Sequence, residues 1–250
     1  MEEMKTCVIT GAAGGIGRET VELFLDDGYR VVACGHTEPK LRDLARTYDD
    51  DPLVPMVMDV TDRHQVYEDF ASLGAIDVLV AGAGVCRQAR LDESESDEVW
   101  DHLIDVNLNG VYNCMRGASE WMREGGAMVA VSSGLGKNGR PGYEAYTASK
   151  HGVLGLVKCV APELADRDIR VNAVCPGWVD TDMARRDIEE SARRAGQSPE
   201  EFFEASVQDI PMERMVQPEE VAELIRFLAS DAASGITGQS YNVACGEYTN

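Results

Sequence analysis

The stretch KTCVITGAAGGIGRETVELFLDDG, residues 5–28, constrains the fold more than any other part of this chain. A short β-rich run, KTCVIT, passes directly into the glycine-rich turn TGAAGGIG (10–17), which opens the helical pattern RETVELFLDDG. Gly11 permits a tight turn. Gly15 and Gly17, with Ile16 between them, let backbone and helix approach a pyrophosphate at the positive end of the helix. A glycine-rich turn alone is weak evidence. One set between a first strand and a first helix marks a dinucleotide-binding βαβ unit.

The alternation continues to the end of the chain. Strands are expected at 29–34 (YRVVAC), 53–60 (LVPMVMDV), 76–84 (IDVLVAGAG), 127–133, 169–177 (IRVNAVCPG) and in SYNVAC near the C-terminus. Between them lie helical patterns in PKLRDLARTY, at 97–122, at 145–165 and in PEEVAELIRFLAS. Apolar strands buried on both faces and alternating with helices predict one α/β domain over residues 1–250. The expected fold is a Rossmann-type, doubly wound parallel sheet of about seven strands with helices on both faces. Residues 181–215 break the rhythm with helix signals alone, including the capped start SPEEFFEAS. Placed at the carboxyl edge of the sheet, they are expected to form a substrate-binding lid.

Composition narrows the partners. Forty-four acids against 23 bases give a net charge of −21, a field that disfavours nucleic acid and anionic membranes. Such a surface also suits a protein that works at high salt, where screening relieves self-repulsion. No apolar run approaches the ~20 residues of a membrane helix. The acidic start MEEMKTCVIT lacks the basic beginning of a signal peptide, so a soluble cytoplasmic protein is expected. The seven cysteines include no C-x-x-C pair and read as free thiols in a reducing compartment. No cluster suggests a metal.

Adenosine selectivity belongs at the end of the second strand, where the sequence is ACGHTEPK. No acid occupies Gly35 or His36 to bind a ribose 2′-hydroxyl, and His36 can donate to a phosphate. The cofactor is expected to be NADP or NAD, with NADP favoured.

With TGAAGGIG, YTASK (146–150) and PG (176–177) in this order, the chain resembles the short-chain dehydrogenase/reductase family along essentially all of its length. The segments SKHGVLGLVK, VNAVCPGWVDTDM, RMVQPEEVAELIRFLAS and TGQSYNV resemble its β-ketoacyl reductase branch, polyketide ketoreductases included. Tyr146 and Lys150 are four residues apart, so a helix projects them from one face. An ammonium beside a phenol favours phenolate and is expected to lower the Tyr146 pKa. Tyr146 would then exchange a proton with a carbonyl or alcohol oxygen. The resemblance also implies that Lys150 binds the nicotinamide ribose. It further implies that Ser133 holds the substrate oxygen and that Asn107 positions a water beside the lysine.

The same resemblance puts Asp59 and Val60 beside the adenine. It sets Pro176, Gly177, Val179 and Thr181 near the nicotinamide amide. Ala81 and Gly82, in AGAG, stand where the family has NNAG, so their contacts pass to water or backbone. Tyr143 and Trp178 are expected to touch substrate. Arg185, Arg186, Arg193 and Arg194 are candidates for a local basic patch facing an acyl-carrier-protein partner. The resemblance implies a homo-oligomer, tetramer or dimer, across the helix at 145–165, which Pro162 is expected to kink.

The expected activity is NAD(P)(H)-dependent hydride transfer to a ketone or from a secondary alcohol, with a small-molecule substrate. A 3-oxoacyl reductase-like ketoreductase or alcohol dehydrogenase comes first. A sugar or polyol dehydrogenase of the same family stays open, as does a nucleotide-sensing protein without turnover.

Overall fold

Seven runs rich in β-branched and small apolar residues form the strands of one parallel sheet. They are β1 (Thr6–Thr10), β2 (Arg30–Gly35), β3 (Leu53–Val57), β4 (Ile76–Ala81), β5 (Met122–Val131), β6 (Arg170–Pro176) and β7 (Ser240–Val243). The computed structural model describes residues 4–249, so the acidic first three residues lie outside the described part. Strand order is β3-β2-β1-β4-β5-β6-β7, every pairing parallel. Val8, for example, pairs with Val32 on one side and Leu79 on the other.

The helices are α1 (Gly15–Asp26), α2 (Glu38–Thr47), α3 (Arg63–Leu73), α4 (Ser96–Ile104), α5 (Gly110–Ser119), α6 (Glu144–Glu163), α7 (Asp182–Ala195), α8 (Pro199–Gln208) and α9 (Pro218–Ala229). Successive strand side chains point to opposite faces, which divides the core in two. Val8, Val32 and Cys34 pack with Phe70 of α3, Met115 of α5 and Val153 of α6. Cys7, Ile9 and Val31 pack with Phe24 of α1, Leu41 of α2 and Ile225 of α9. The chain winds outward from β1 to β3, then returns to start again at β4. The carboxyl ends of β1 and β4 therefore diverge and leave a crevice.

Several boundaries differ from the sequence expectation. The third strand stops at Val57 and the fourth at Ala81, which leaves Asp59, Val60 and Gly82 in loops. The helix expected over 97–122 is interrupted by a π-helical turn, Asp105–Asn109, and ends at Ser119. Met122 already pairs with Ile76, and β5 shifts register before Ala127 pairs with Val78. Helix α3 is absent from the sequence expectation, although Val66 and Phe70 give it a buried face. Its start is encoded by Asp62, whose carboxylate accepts from the backbone N–H of His64 and Gln65 at 3.0 and 3.1 Å. Pro162 is the penultimate residue of α6, where little helix remains to kink. Thr181 caps α7, and Ser198 with Glu201 forms a capping box on α8.

The cysteines are all free. Cys7, Cys34, Cys114 and Cys175 are buried, Cys86 and Cys245 are partly buried, and Cys159 is exposed. Among the described residues no helix is long and apolar enough to cross a membrane, and no cluster of side chains is arranged to hold a metal.

Candidate active site

The carboxyl ends of β1, β4, β5 and β6 open on a cleft continuous with solvent. Tyr146, Lys150, Ser133, Trp178 and Thr181 all line it.

The glycine-rich turn forms its floor. Gly11 has φ +72°, and a Cβ there would come within 2.8 Å of the Gly82 carbonyl. At Gly15 a Cβ would stand 2.5 Å from Thr181 Cγ2. Thr181 therefore sits directly on the glycine turn, although the two positions lie at opposite ends of the chain's winding. Ile16 lines the cleft and Gly17 lies in the first turn of α1. No side chain caps the N-terminus of α1 and no acid lies in its first turn. Such an end suits a pyrophosphate.

The loop AGAG is held without the amide side chains of the family pattern. The Thr10 hydroxyl accepts from Gly82 N–H at 3.1 Å and Ala83 N–H at 3.2 Å. Asn107, projected inward by the π-helical turn and fully buried, continues the tether. Its Oδ1 accepts from Val85 N–H at 2.8 Å and its Nδ2 donates to Val85 O at 2.9 Å. A Cβ on Gly84 would stand 3.2 Å from Asn107 Oδ1 and 3.4 Å from Lys150 Nζ, so the two side chains converge there.

Helix α6 supplies the central pair. Lys150 is buried, donates to Val131 O at 2.9 Å and lies 5.6 Å from the Tyr146 ring centre. Burial lowers its pKa to about 8. Burial also raises the Tyr146 phenol well above its ordinary range, and the neighbouring Cys86 thiol adds to this. A hydrogen bond with the Ser133 side chain opposes the shift in part. The expected lowering of Tyr146 by Lys150 is therefore absent. The ammonium faces a strand carbonyl, and desolvation of the phenol dominates. Ser133 Oγ accepts from Leu135 N–H at 3.1 Å. Ser132 instead turns away and donates to Lys150 O at 3.0 Å.

The remaining expected residues are distributed around this centre. Pro176 ends β6 and lines the cleft with Gly177, Trp178 and Val179. Val179 forms an isolated bridge with Val216. His36 is exposed just past β2. The Asp59 carboxylate is held by Thr61 through N–H and hydroxyl bonds of 2.9 and 2.8 Å. Val60 is buried, and Ala81 is the last residue of β4.

The Tyr143 ring lines the cleft where substrate contact is expected, while its hydroxyl is taken up by a buried network. It donates to Asp187 Oδ2 at 2.7 Å and accepts from Gln88 Nε2 at 2.8 Å, with Ser191 Oγ 3.3 Å away. Sequence reasoning missed Gln88, Asp187 and Ser191, because polar residues on α7 and in a loop read as surface until the fold joins them. Three of the four arginines of α7 are paired with acids, while Arg186 makes no ion pair among the described residues. Arg185 pairs with Asp180 at 2.9 Å, Arg193 pairs with Glu190, and Arg194 bridges Glu93 and Glu190. A chain so rich in acids neutralises most of its basic residues locally.

Comparison with known proteins agrees with this geometry. A family profile described as enoyl-(acyl carrier protein) reductase matches residues 11–247. The 3-oxoacyl-[acyl-carrier-protein] reductase FabG of Thermotoga maritima is 42% identical over 245 residues, covering 95% of each chain. Among solved structures, a single-substitution variant of the actinorhodin polyketide ketoreductase with NADPH superposes with a TM-score of 0.93 at 33% identity, covering 99% of this chain and 98% of its own. The aldohexose dehydrogenase of Thermoplasma acidophilum gives 0.86 at 32% identity, covering 98% of this chain and 94% of its own. The profile match over residues 11–247 and the relative at 42% identity show that the chain belongs to the short-chain dehydrogenase/reductase family.

Proposed function

We propose that this chain is a ketoreductase of the 3-oxoacyl reductase type, transferring hydride between a nicotinamide dinucleotide and a ketone or secondary alcohol. The observation that carries the reading is one cleft lined by Ser133, Tyr146 and buried Lys150, with buried Asn107 against Gly84 on its wall and an uncapped helix N-terminus at its floor. When bound, the dinucleotide supplies the hydride, and the protein supplies orientation and the proton.

Each side chain has a defined task. Ser133 donates to the carbonyl oxygen and holds it against the Tyr146 phenol. Tyr146, kept protonated by burial, gives its proton to that oxygen as negative charge develops there. A protonated phenol is the form that reduction consumes. Lys150, its charge weakened by burial, binds ribose hydroxyls and passes a proton toward Tyr146. Asn107 anchors the relay from the π-helical turn. The glycine turn and α1 hold the pyrophosphate, with Asp59 and Val60 near the adenine and residues 176–181 near the carboxamide.

NADP is the favoured form. His36 stands exposed at the end of β2 without a carboxylate at that position or at Gly35. The polyketide ketoreductase solved with NADPH supports the same choice. Residues 181–215, largely α7 and α8, act as the substrate-covering segment. A homo-oligomer in the cytoplasm is the working form we infer. A sugar-oxidising role is the second reading, supported by the similarity to an aldohexose dehydrogenase.

The test is NADPH and NADH consumption with 3-oxoacyl thioesters, simple ketones and, in the oxidative direction, aldohexoses. Tyr146→Phe is expected to lower turnover by at least about 10²-fold, the range for a lost general acid, while NADPH still binds. Retained turnover in that variant would overturn the assignment.

A further inference from the structure

The arginines of this acidic protein are largely engaged with carboxylates, as Arg42 is with Glu38, Arg214 with Glu220 and Arg226 with Asp27. Arg140, on the wall of the cleft, makes neither an ion pair within 4.0 Å nor a side-chain hydrogen bond among the described residues. It is held by packing. Its guanidinium lies 5.4 Å from the Tyr143 ring centre and 5.6 Å from that of Trp178. Both rings also line the cleft.

The backbone beneath it is fixed as well. Arg140, Pro141, Gly142 and Tyr143 form a tight turn, with Tyr143 N–H donating to Arg140 O at 3.1 Å and Gly142 at φ +84°. Proline second and a positive-φ glycine third are what a type II turn requires. Ala89 N–H donates to Gly142 O at 3.0 Å and pins the turn to the neighbouring loop. The nearby acids leave the guanidinium unpaired. Both Asp187 oxygens already accept from Gln88 and Tyr143. Glu247 lies beyond ion-pair distance, with its Oε2 buried and without a hydrogen-bond partner, and feels the Arg140 charge only across that gap. A stacked guanidinium keeps its donor edge free, and that edge matches the two oxygens of a carboxylate or phosphate.

We propose that Arg140 is the specificity-determining residue of the cleft, selecting carbonyl substrates that carry an oxyanion. The oxyanion is either a carboxylate on the keto chain or the phosphate of a thioester carrier arm. This rests on the ketoreductase reading and narrows its substrate class.

Matched substrate pairs test it with NADPH as reductant. Acetoacetate against ethyl acetoacetate probes the carboxylate, and 3-oxobutyryl pantetheine with and without its 4′-phosphate probes the phosphate. In Arg140→Gln the ratio of kcat/KM for the charged member to that for the neutral member is expected to fall about 10–100-fold, chiefly through KM. Arg140→Lys, which keeps charge but loses the fork, is expected to fall in between. The pair that responds identifies the oxyanion. An unchanged ratio in both pairs overturns the proposal, as does an equal loss on both members.

Should the wild type reduce no member of either pair, the ketoreductase reading fails first. Binding then decides the anion question, read as quenching of Trp178 fluorescence by acetoacetate or the phosphorylated thioester. Trp178→Phe identifies the signal. Quenching lost in Arg140→Gln supports the site, and no quenching in the wild type removes it.

Discussion

The contact between Gly15 and Thr181 can be tested by a double-mutant cycle. In the wild type an alanine Cβ at position 15 would stand 2.5 Å from Thr181 Cγ2 and 3.2 Å from Thr181 Cβ. Ordinary carbon–carbon contact is about 3.5–4.0 Å, so the methyl group must retreat by roughly 1 Å. Overpacking of this kind costs about 1–3 kcal/mol. Gly15 is the first residue of α1, where alanine regains up to about 1 kcal/mol of helix propensity. With the full regain the net loss for Gly15→Ala is about 0–2 kcal/mol, or up to about 8 °C in melting temperature for a domain of this size.

Thr181→Ser removes the obstructing methyl and keeps the hydroxyl that caps α7. Within that background Gly15→Ala is expected to be close to neutral, giving a coupling of about 1 kcal/mol or more. Thermal and urea melts of the four proteins, without nucleotide, measure it. NADPH titration is expected to show a loss of affinity for Gly15→Ala in both backgrounds, because the same methyl group crowds the phosphate turn. Additivity of the two stability changes within about 0.5 kcal/mol would refute the close approach.

Three further outcomes follow from single sites. Burial lowers Lys150 to about 8 in the folded state, so the folded protein binds fewer protons than the unfolded chain between about pH 8 and 10.5. The stability of the wild type relative to Lys150→Met is therefore expected to rise with pH across that window, and a flat difference would exclude a neutralised lysine. Arg170 is buried in β6 and donates to Leu228 O, and to Ala229 O and Ser230 O at 3.1 and 3.0 Å, closing the C-terminus of α9. Arg170→Met strips partners from three carbonyls and is expected to cost about 2–4 kcal/mol in urea unfolding. With a net charge of −21, the melting temperature is expected to rise between about 0.05 and 2 M KCl as self-repulsion is screened, which a salt-independent melt would contradict.

Much of the architecture was legible locally. Alternating apolar runs specified a parallel sheet because strands buried on both faces have little room for polar residues. TGAAGGIG announced a phosphate turn because only glycine tolerates such close backbone contact. Tyr146 and Lys150 were readable as a pair because helix geometry turns a spacing of four into adjacency. Boundaries were less legible where one apolar pattern serves two structures. The run from 97 to 122 keeps helical periodicity through Asn107, although that residue sits in a π-helical turn that tertiary contact with Val85 rewards.

Other features depended on residues far apart in the chain. Nothing near Tyr143 reveals that its hydroxyl is spent on Gln88 and Asp187, which lie 55 and 44 residues away. The Tyr146 phenol is shifted upward because burial outweighs its neighbour, and burial belongs to the assembled cleft. Arg140 has the same origin as a candidate site. Sequence shows an arginine before Pro-Gly, while the fold brings Trp178 against it and leaves it without an ion pair among the described residues. The sequence by itself determined the fold class, the glycine turn and the adjacency of Tyr146 and Lys150, because these rest on periodicity and short spacing. Tertiary structure decided the protonation, the spent hydroxyls and the unpaired cation, because desolvation and long-range partners exist only once the chain has closed on itself.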